Sequence, residues 1–273
     1  MRTHGSNATT AALSAVLMGI ACASAMGAVF EYQHVPDRTS PLDQGWGYIG
    51  ELYPIASHET LRHSCLQIED HSTTKYGPLY IKQCINDGQD YKNYPNFYYP
   101  FEARLLFKIT ECQVPSPDAP LAYLYVCNAQ ARRINGVDVT VGREITVGMS
   151  LTDEGTKFGF VNTNKVFFGS TYVSTNSDFI DLHLKKETGS NAPLKIYVDG
   201  QYTGITVGAM TNEFALAGSI AARQFRFGFM SHREATGVIQ VVGCTAAANY
   251  DNTTSYTAPP INRWPAATVV MIR

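Results

Sequence analysis

One dipeptide constrains this chain more than any other feature: Asp199-Gly200, set between L-K-I-Y-V (194–198) and Q-Y-T-G-I (201–205). A type I′ turn needs φ > 0 at both central residues, and Asp-Gly between alternating runs is a strong hairpin signal. Upstream, the run 179–186 alternates in the same way and is joined to 194–198 by a polar turn at 188–191. Residues 178–205 therefore read as a three-stranded antiparallel meander.

The rest of the chain extends that pattern. Short alternating runs fall at 29–33, 46–49, 65–69, 79–84, 101–111, 121–127, 138–141, 144–151, 156–161, 166–168, 223–230, 238–244 and 268–272, bounded by Gly, Asn or Pro. The run at 101–111 is the longest. In it Phe101, Ala103, Leu105, Phe107 and Ile109 alternate with Glu102, Arg104 and Lys108. No stretch keeps a 3.6-residue apolar period. Many short strands at close spacing predict an all-β, two-sheet antiparallel β-sandwich of the jelly-roll type.

The 273 residues are 45% hydrophobic and only 16% charged, enough apolar mass for one sizeable core. The formal net charge of −2 argues against a nucleic-acid partner, which requires a basic surface. The first 28 residues read as a secretory signal. Residues 11–25 are small and apolar but too short to span a bilayer, and Ala23-Ser24-Ala25 is an A-x-A cleavage site. Cleavage is expected after Ala25 or after Ala28, leaving 29–273 as a single exported domain. No later apolar run is long enough to be a membrane span.

An oxidising compartment permits disulfides. Sequence alone does not choose among the possible pairings, but local symmetry biases the choice. Cys65 and Cys84 lie symmetrically about a turn near Thr74-Lys75, and Cys112 and Cys127 about residues 116–120. Hairpins there would face each pair across adjacent strands. Cys244 is then left as a small buried thiol.

Leu66-Gln67-Ile68-Glu69-Asp70, Phe101-Glu102-Ala103-Arg104, Asp181-Leu182-His183-Leu184, the Tyr197-Val198-Asp199-Gly200 hairpin and Phe225-Arg226-Phe227-Gly228 occur in that order. In this the chain resembles the laminin-G-like, concanavalin A-like lectin/glucanase domains of bacterial secreted proteins, over roughly 29–244. The resemblance implies two packed, curved sheets. Function it implies only by analogy, because the fold hosts lectins, glycosidases, lyases and adhesion modules alike.

Glucanases of that superfamily carry alternating carboxylates on one strand face, which alternation lets converge on a glycosidic bond. Here Asp178 and Asp181 are three apart and Asp153-Glu154 sits beside Gly155 in a turn, so neither has the spacing. The arginine–glutamate–arginine strand and Gln-Ile-His triplet of jelly-roll lyases are each incomplete in Pro100-x-Glu102-x-Arg104 and Gln67-Ile68-Glu69. Glu102 and Arg104 read as the solvent face of their strand. Asp181 and His183 share a face and could form an acid–imidazole pair, though no nucleophile accompanies them. His58 and His63 lie in a loop without metal-ligand spacing. Calcium is a ligand the resemblance allows, and the oxygen-rich loops 86–88, 153–154 and 249–252 could supply donors, with no fixed motif.

Most suggestive of function is the aromatic loop 91–99. Tyr91, Tyr94, Tyr98 and Tyr99 cluster in a stretch too rich in Asn and Pro to be a strand, as exposed sugar-stacking aromatics do. The expectation is a non-catalytic module that binds carbohydrate or another extracellular polymer through these tyrosines. The alternatives are a polysaccharide hydrolase or lyase, and a structural or adhesive surface protein.

Overall fold

The computed structural model describes residues 27–35, 40–52, 55–83, 101–127, 130–134, 137–141, 144–162, 164–175, 178–187, 192–207, 224–229, 234–249 and 257–263. They form seventeen strands and two short 3-10 turns. The strands are β1 (Gly27–Gln33), β2 (Gly47–Ile49), β3 (Glu59–Leu61), β4 (Leu66–Asp70), β5 (Leu79–Gln83), β6 (Phe101–Gln113), β7 (Ala122–Cys127), β8 (Gln130–Ile134) and β9 (Val137–Val141). They continue with β10 (Glu144–Thr152), β11 (Gly155–Val161), β12 (Phe167–Ser174), β13 (Ile180–Lys186), β14 (Leu194–Val198), β15 (Gln201–Val207), β16 (Gln224–Gly228) and β17 (Thr236–Asn249).

Two antiparallel sheets carry the fold, a β-sandwich. The eight-stranded sheet runs β15-β14-β13-β6-β17-β4-β3, with β1 also on β17. The seven-stranded sheet runs β12-β11-β10-β7-β16-β5-β2, and β8 and β9 form a separate ribbon. Strand β17 is the spine of the first sheet. One flank pairs with β6, and the other is shared by β4 along 237–241 and β1 along 243–249.

Alternation decides what is inside. From β6, Phe101, Ala103, Leu105, Phe107 and Ile109 are buried; from β13, Ile180, Leu182 and Leu184; from β14, Leu194, Ile196 and Val198. The facing sheet contributes Leu124 and Val126, Val147 and Met149, and Phe225 and Phe227. Phe227 sits at the centre of an aromatic group, with the rings of Trp46 and Tyr80 each 5.2 Å away and Tyr32 at 5.9 Å.

The hairpin at 199–200 forms as expected. Val198 pairs with Gln201, and φ is +50° at Asp199 and +78° at Gly200. Other expectations change. The segment 166–168 becomes the eight-residue β12, reached through a register shift between Phe158 and Phe160 that breaks its pairing pattern. The C-terminal run lengthens to fourteen residues in β17, because small Ala246 and Ala247 pair between β1 and β6 without any polar alternation to announce a strand. The segment 268–272 lies outside the described residues, as do residues 1–26 with their cleavage site.

Both expected disulfide hairpins are absent. Strand β4, which Cys65 precedes, belongs to the eight-stranded sheet, whereas β5, which Cys84 follows, belongs to the other. Cys112 on β6 and Cys127 on β7 are split between the sheets in the same way. The chain crosses between layers at both turns, so neither pair faces across a ladder. Cys65 and Cys112 are free thiols, and Cys84 lies outside the described residues. Cys244 is fully buried in the core, as expected, and burial pushes its thiol pKa well up.

Candidate functional site

The aromatic loop that the sequence favoured, with Tyr91, Tyr94, Tyr98 and Tyr99, lies outside the described residues. The structure instead brings a set of polar and aromatic side chains together on the outer face of the eight-stranded sheet. Alternation that sends Ile180, Leu182 and Leu184 inward sends Asp181, His183 and Lys185 outward. The same rule turns out Glu102 and Arg104 from β6 and Lys195 and Tyr197 from β14.

Register then aligns four of them. Arg104 pairs with His183, His183 with Tyr197, and Tyr197 with Tyr202, so one row crosses β6, β13, β14 and β15 at right angles to the strands. The rings are in contact along it. His183 and Tyr197 have centroids 5.8 Å apart, and Tyr197 and Tyr202 5.5 Å apart at 46°. Tyr202, on the edge strand, is 45% exposed, the most open large hydrophobic side chain among the described residues.

Charged side chains border this row in pairs. Arg104 binds Asp181 through both Nε and Nη2, a fork-to-fork contact with both carboxylate oxygens. Lys195 Nζ stands 3.6 Å from Glu187 Oε1 and 6.0 Å from the centre of the Tyr202 ring. Lys185 Nζ lies 3.4 Å from Glu102 Oε1.

Glu102 is not the solvent-facing residue its strand position suggested; it is only 7% exposed. The segment 257–263 straps across the sheet above it. There the Ala258 amide donates to Glu102 Oε2 at 3.0 Å, and Thr245 Oγ1 donates to the Pro259 carbonyl at 2.7 Å. His183 Nε2 sits 3.5 Å from the same carboxylate, an ion-pair distance rather than a formed hydrogen bond. Burial opposes ionisation of Glu102, but His183, the Ala258 amide and Lys185 outweigh it and hold the carboxyl down at about 2. The acid–imidazole pairing considered from sequence is thus exchanged: His183 goes with Glu102, and Asp181 goes with Arg104.

The outer face of the seven-stranded sheet differs. Its paired tyrosines, Tyr123 and Tyr125, stack at 5.2 Å but are 0% and 2% exposed, closed in with Leu79 and Val161. They offer no open ring. At the far edge of the sandwich, the Tyr80 hydroxyl donates to Glu59 between the two sheets, and burial pushes the Glu59 carboxyl up. That contact ties edge strand β3 to β5. The segment between His58 and His63, expected as a loop, thus holds the short strand β3.

A metal is not indicated by these side chains. Among the described residues no three His, Cys, Asp or Glu converge. Asp153 and Glu154 form the two-residue turn between β10 and β11. Asp199 is engaged in the hairpin, accepting from the Asp181 amide at 3.0 Å. The loop 86–88 and residues 250–252 lie outside the described residues.

The fold defines a class, the two-sheet antiparallel β-sandwich, to which solved structures can be compared. No protein-family model and no curated protein matches the sequence. Among solved structures the chain is similar to a carbohydrate esterase of the Shiga toxin-encoding bacteriophage phi24B (TM-score 0.51, 14% identity, 81% of this chain and 100% of that one). It is also similar to the carbohydrate recognition domain of Emp47p (0.47, 8%, 83% and 96%) and to the alginate lyase Aly36B (0.47, 12%, 80% and 96%). At such identity the first likeness bears on the fold alone and says nothing about ligand or reaction.

Proposed function

We propose that this protein is a glycan-binding β-sandwich whose contact surface is the outer face of the eight-stranded sheet, along the row from Tyr202 to Arg104. The observation that carries the reading is the exposed Tyr202 ring continuing into Tyr197 and His183, with hydrogen-bonding pairs on both sides. An aromatic face stacks against the apolar C–H side of a pyranose, and flanking Arg and Asp groups meet its hydroxyls. The row rests on a rigid sheet, so little ordering is lost on binding.

Binding is favoured over glycoside hydrolysis at this face for a chemical reason. Hydrolysis needs one carboxyl protonated near neutral pH to donate to the leaving oxygen. Glu102 is held down at about 2 and is committed to Ala258, and Asp181 is held by Arg104. Glu102 is therefore no proton donor near neutral pH.

We further propose that the chain is exported as a single domain. Strand β1 supports cleavage after Ala25 rather than Ala28, since its first rungs are Gly27 with Asn249 and Ala28 with Ala248. The test of function is a glycan array read for retention, with mass analysis of the eluted sugars. Retained, uncut glycans are expected. Shortened or unsaturated products would instead make the protein a hydrolase or lyase, and no retention would remove glycan binding.

A further inference from the structure

We infer that the row takes an uncharged polysaccharide segment lying across the strands, and that it discriminates against uronate-rich or sulfated polymers. The inference rests on the glycan-binding reading above and specifies its ligand.

Charge on this face is the first reason. Three cations border the row, Arg104, Lys185 and Lys195, and three carboxylates answer them, Asp181, Glu102 and Glu187. Two of these matches are fixed by structure. The Arg104–Asp181 pair is forked, with both side chains about one-quarter exposed. Glu102 is nearly buried and held by the strap. Only Lys195–Glu187 is loose, with Glu187 54% exposed. A polyanion entering the row would meet Asp181, and the three cations beside it are already matched by carboxylates. A neutral sugar keeps every pair and still finds both donors and acceptors for its hydroxyls.

Geometry gives the second reason. Row members are cross-strand neighbours, so from β6 to β15 the row covers three strand spacings of about 4.8 Å, or about 14 Å. One end is open at Tyr202 on the edge strand. The other ends at the strap, where Thr245, opposite Arg104 on β17, is fully buried beneath Pro259. A ligand entering from the edge thus runs over Tyr202, Tyr197 and His183 and stops at Arg104. That length suits a few linked rings and exceeds a single one.

Affinity electrophoresis of the whole protein in gels containing mannan, xylan or mixed-linkage β-glucan, and in parallel gels containing alginate or polygalacturonate, tests this. At least one neutral polymer should retard the protein, with little change on adding salt, because no net charge is matched. Tyr202→Ala should lose roughly tenfold in affinity, and Tyr202→Phe should keep it, since the stacking face remains. Glu187→Gln, which leaves Lys195 without its partner, should gain retardation by polygalacturonate. Retardation of the wild type by the uronate polymers alone, weakened by salt, would overturn this inference while leaving glycan binding intact. If no polymer retards the protein and Tyr202→Ala behaves as wild type, glycan binding at this face fails as well.

Discussion

The carboxylate of Glu102 on β6 and the imidazole of His183 on β13 stand 3.5 Å apart, and the Ala258 amide completes the group from a segment more than 150 residues away in the chain. Three elements meet at one side chain. That meeting fixes the end of the aromatic row and explains why a charged residue on an outward strand position is nearly buried.

Acid should reveal this arrangement. The folded pKa of Glu102 is lowered from 4.5 to about 2. Its contribution to stability is therefore present above about pH 4.5 and is lost as pH falls toward 2. Glu102→Gln should flatten the stability profile across that interval. Glu102→Ala, which also strands the Ala258 amide, should cost about 2 kcal/mol at pH 7. Denaturant melts between pH 2 and 7 measure both; equal acid sensitivity in Glu102→Gln and wild type would contradict the assignment.

Lys186 presents the opposite case. It falls on the inward face of β13, is 7% exposed, and burial pulls its ammonium down to about 8. The folded state then releases its proton before the unfolded state does, so the charge is a penalty below about pH 8 that fades by 10.5. Lys186→Met should raise the melting temperature at pH 7, with the gain shrinking as pH rises from 8 to 10.5. A lower melting temperature at pH 7 would show that the Lys186 hydrogen bond to the Glu187 carbonyl at 3.1 Å outweighs the desolvation.

Sheet membership makes the cysteines a further check. With Cys65 just before β4 and Cys112 on β6, and β5 and β7 in the other sheet, alkylation in denaturant without reductant should label Cys65, Cys112 and Cys244, as peptide mass mapping would show. Recovery of a Cys65–Cys84 or Cys112–Cys127 peptide would contradict the layer assignment of β4 to β7.

Much of the fold was legible because alternation is local. The runs that became β6, β13 and β14 carry their burial pattern in every second residue, and Asp199-Gly200 announces its own turn. The layer of each strand was not legible. A polar turn such as 71–78 looks the same whether the chain doubles back in one sheet or crosses to the other, and that ambiguity produced the two disulfide expectations. The site was half legible. Tyr197 and Tyr202 are equidistant from the centre of the Asp199-Gly200 turn, so the hairpin alone places them opposite each other on one face. His183 and Arg104 join them only through registers set by longer connections. The tyrosine-rich loop 91–99 stands out more, because aromatic density is conspicuous in sequence whereas a row across four strands is not.

The most direct test of the account is the affinity of wild type, Tyr202→Ala and the double variant Tyr197→Ala/Tyr202→Ala for a glycan retained on the array, measured by calorimetric titration. Tyr202 lies half-exposed on an edge strand, so the single variant should melt within a degree or two of wild type. The account predicts roughly tenfold weaker binding in the single variant and no measurable binding in the double variant. Wild-type affinity in the double variant, with its fold intact, would contradict it.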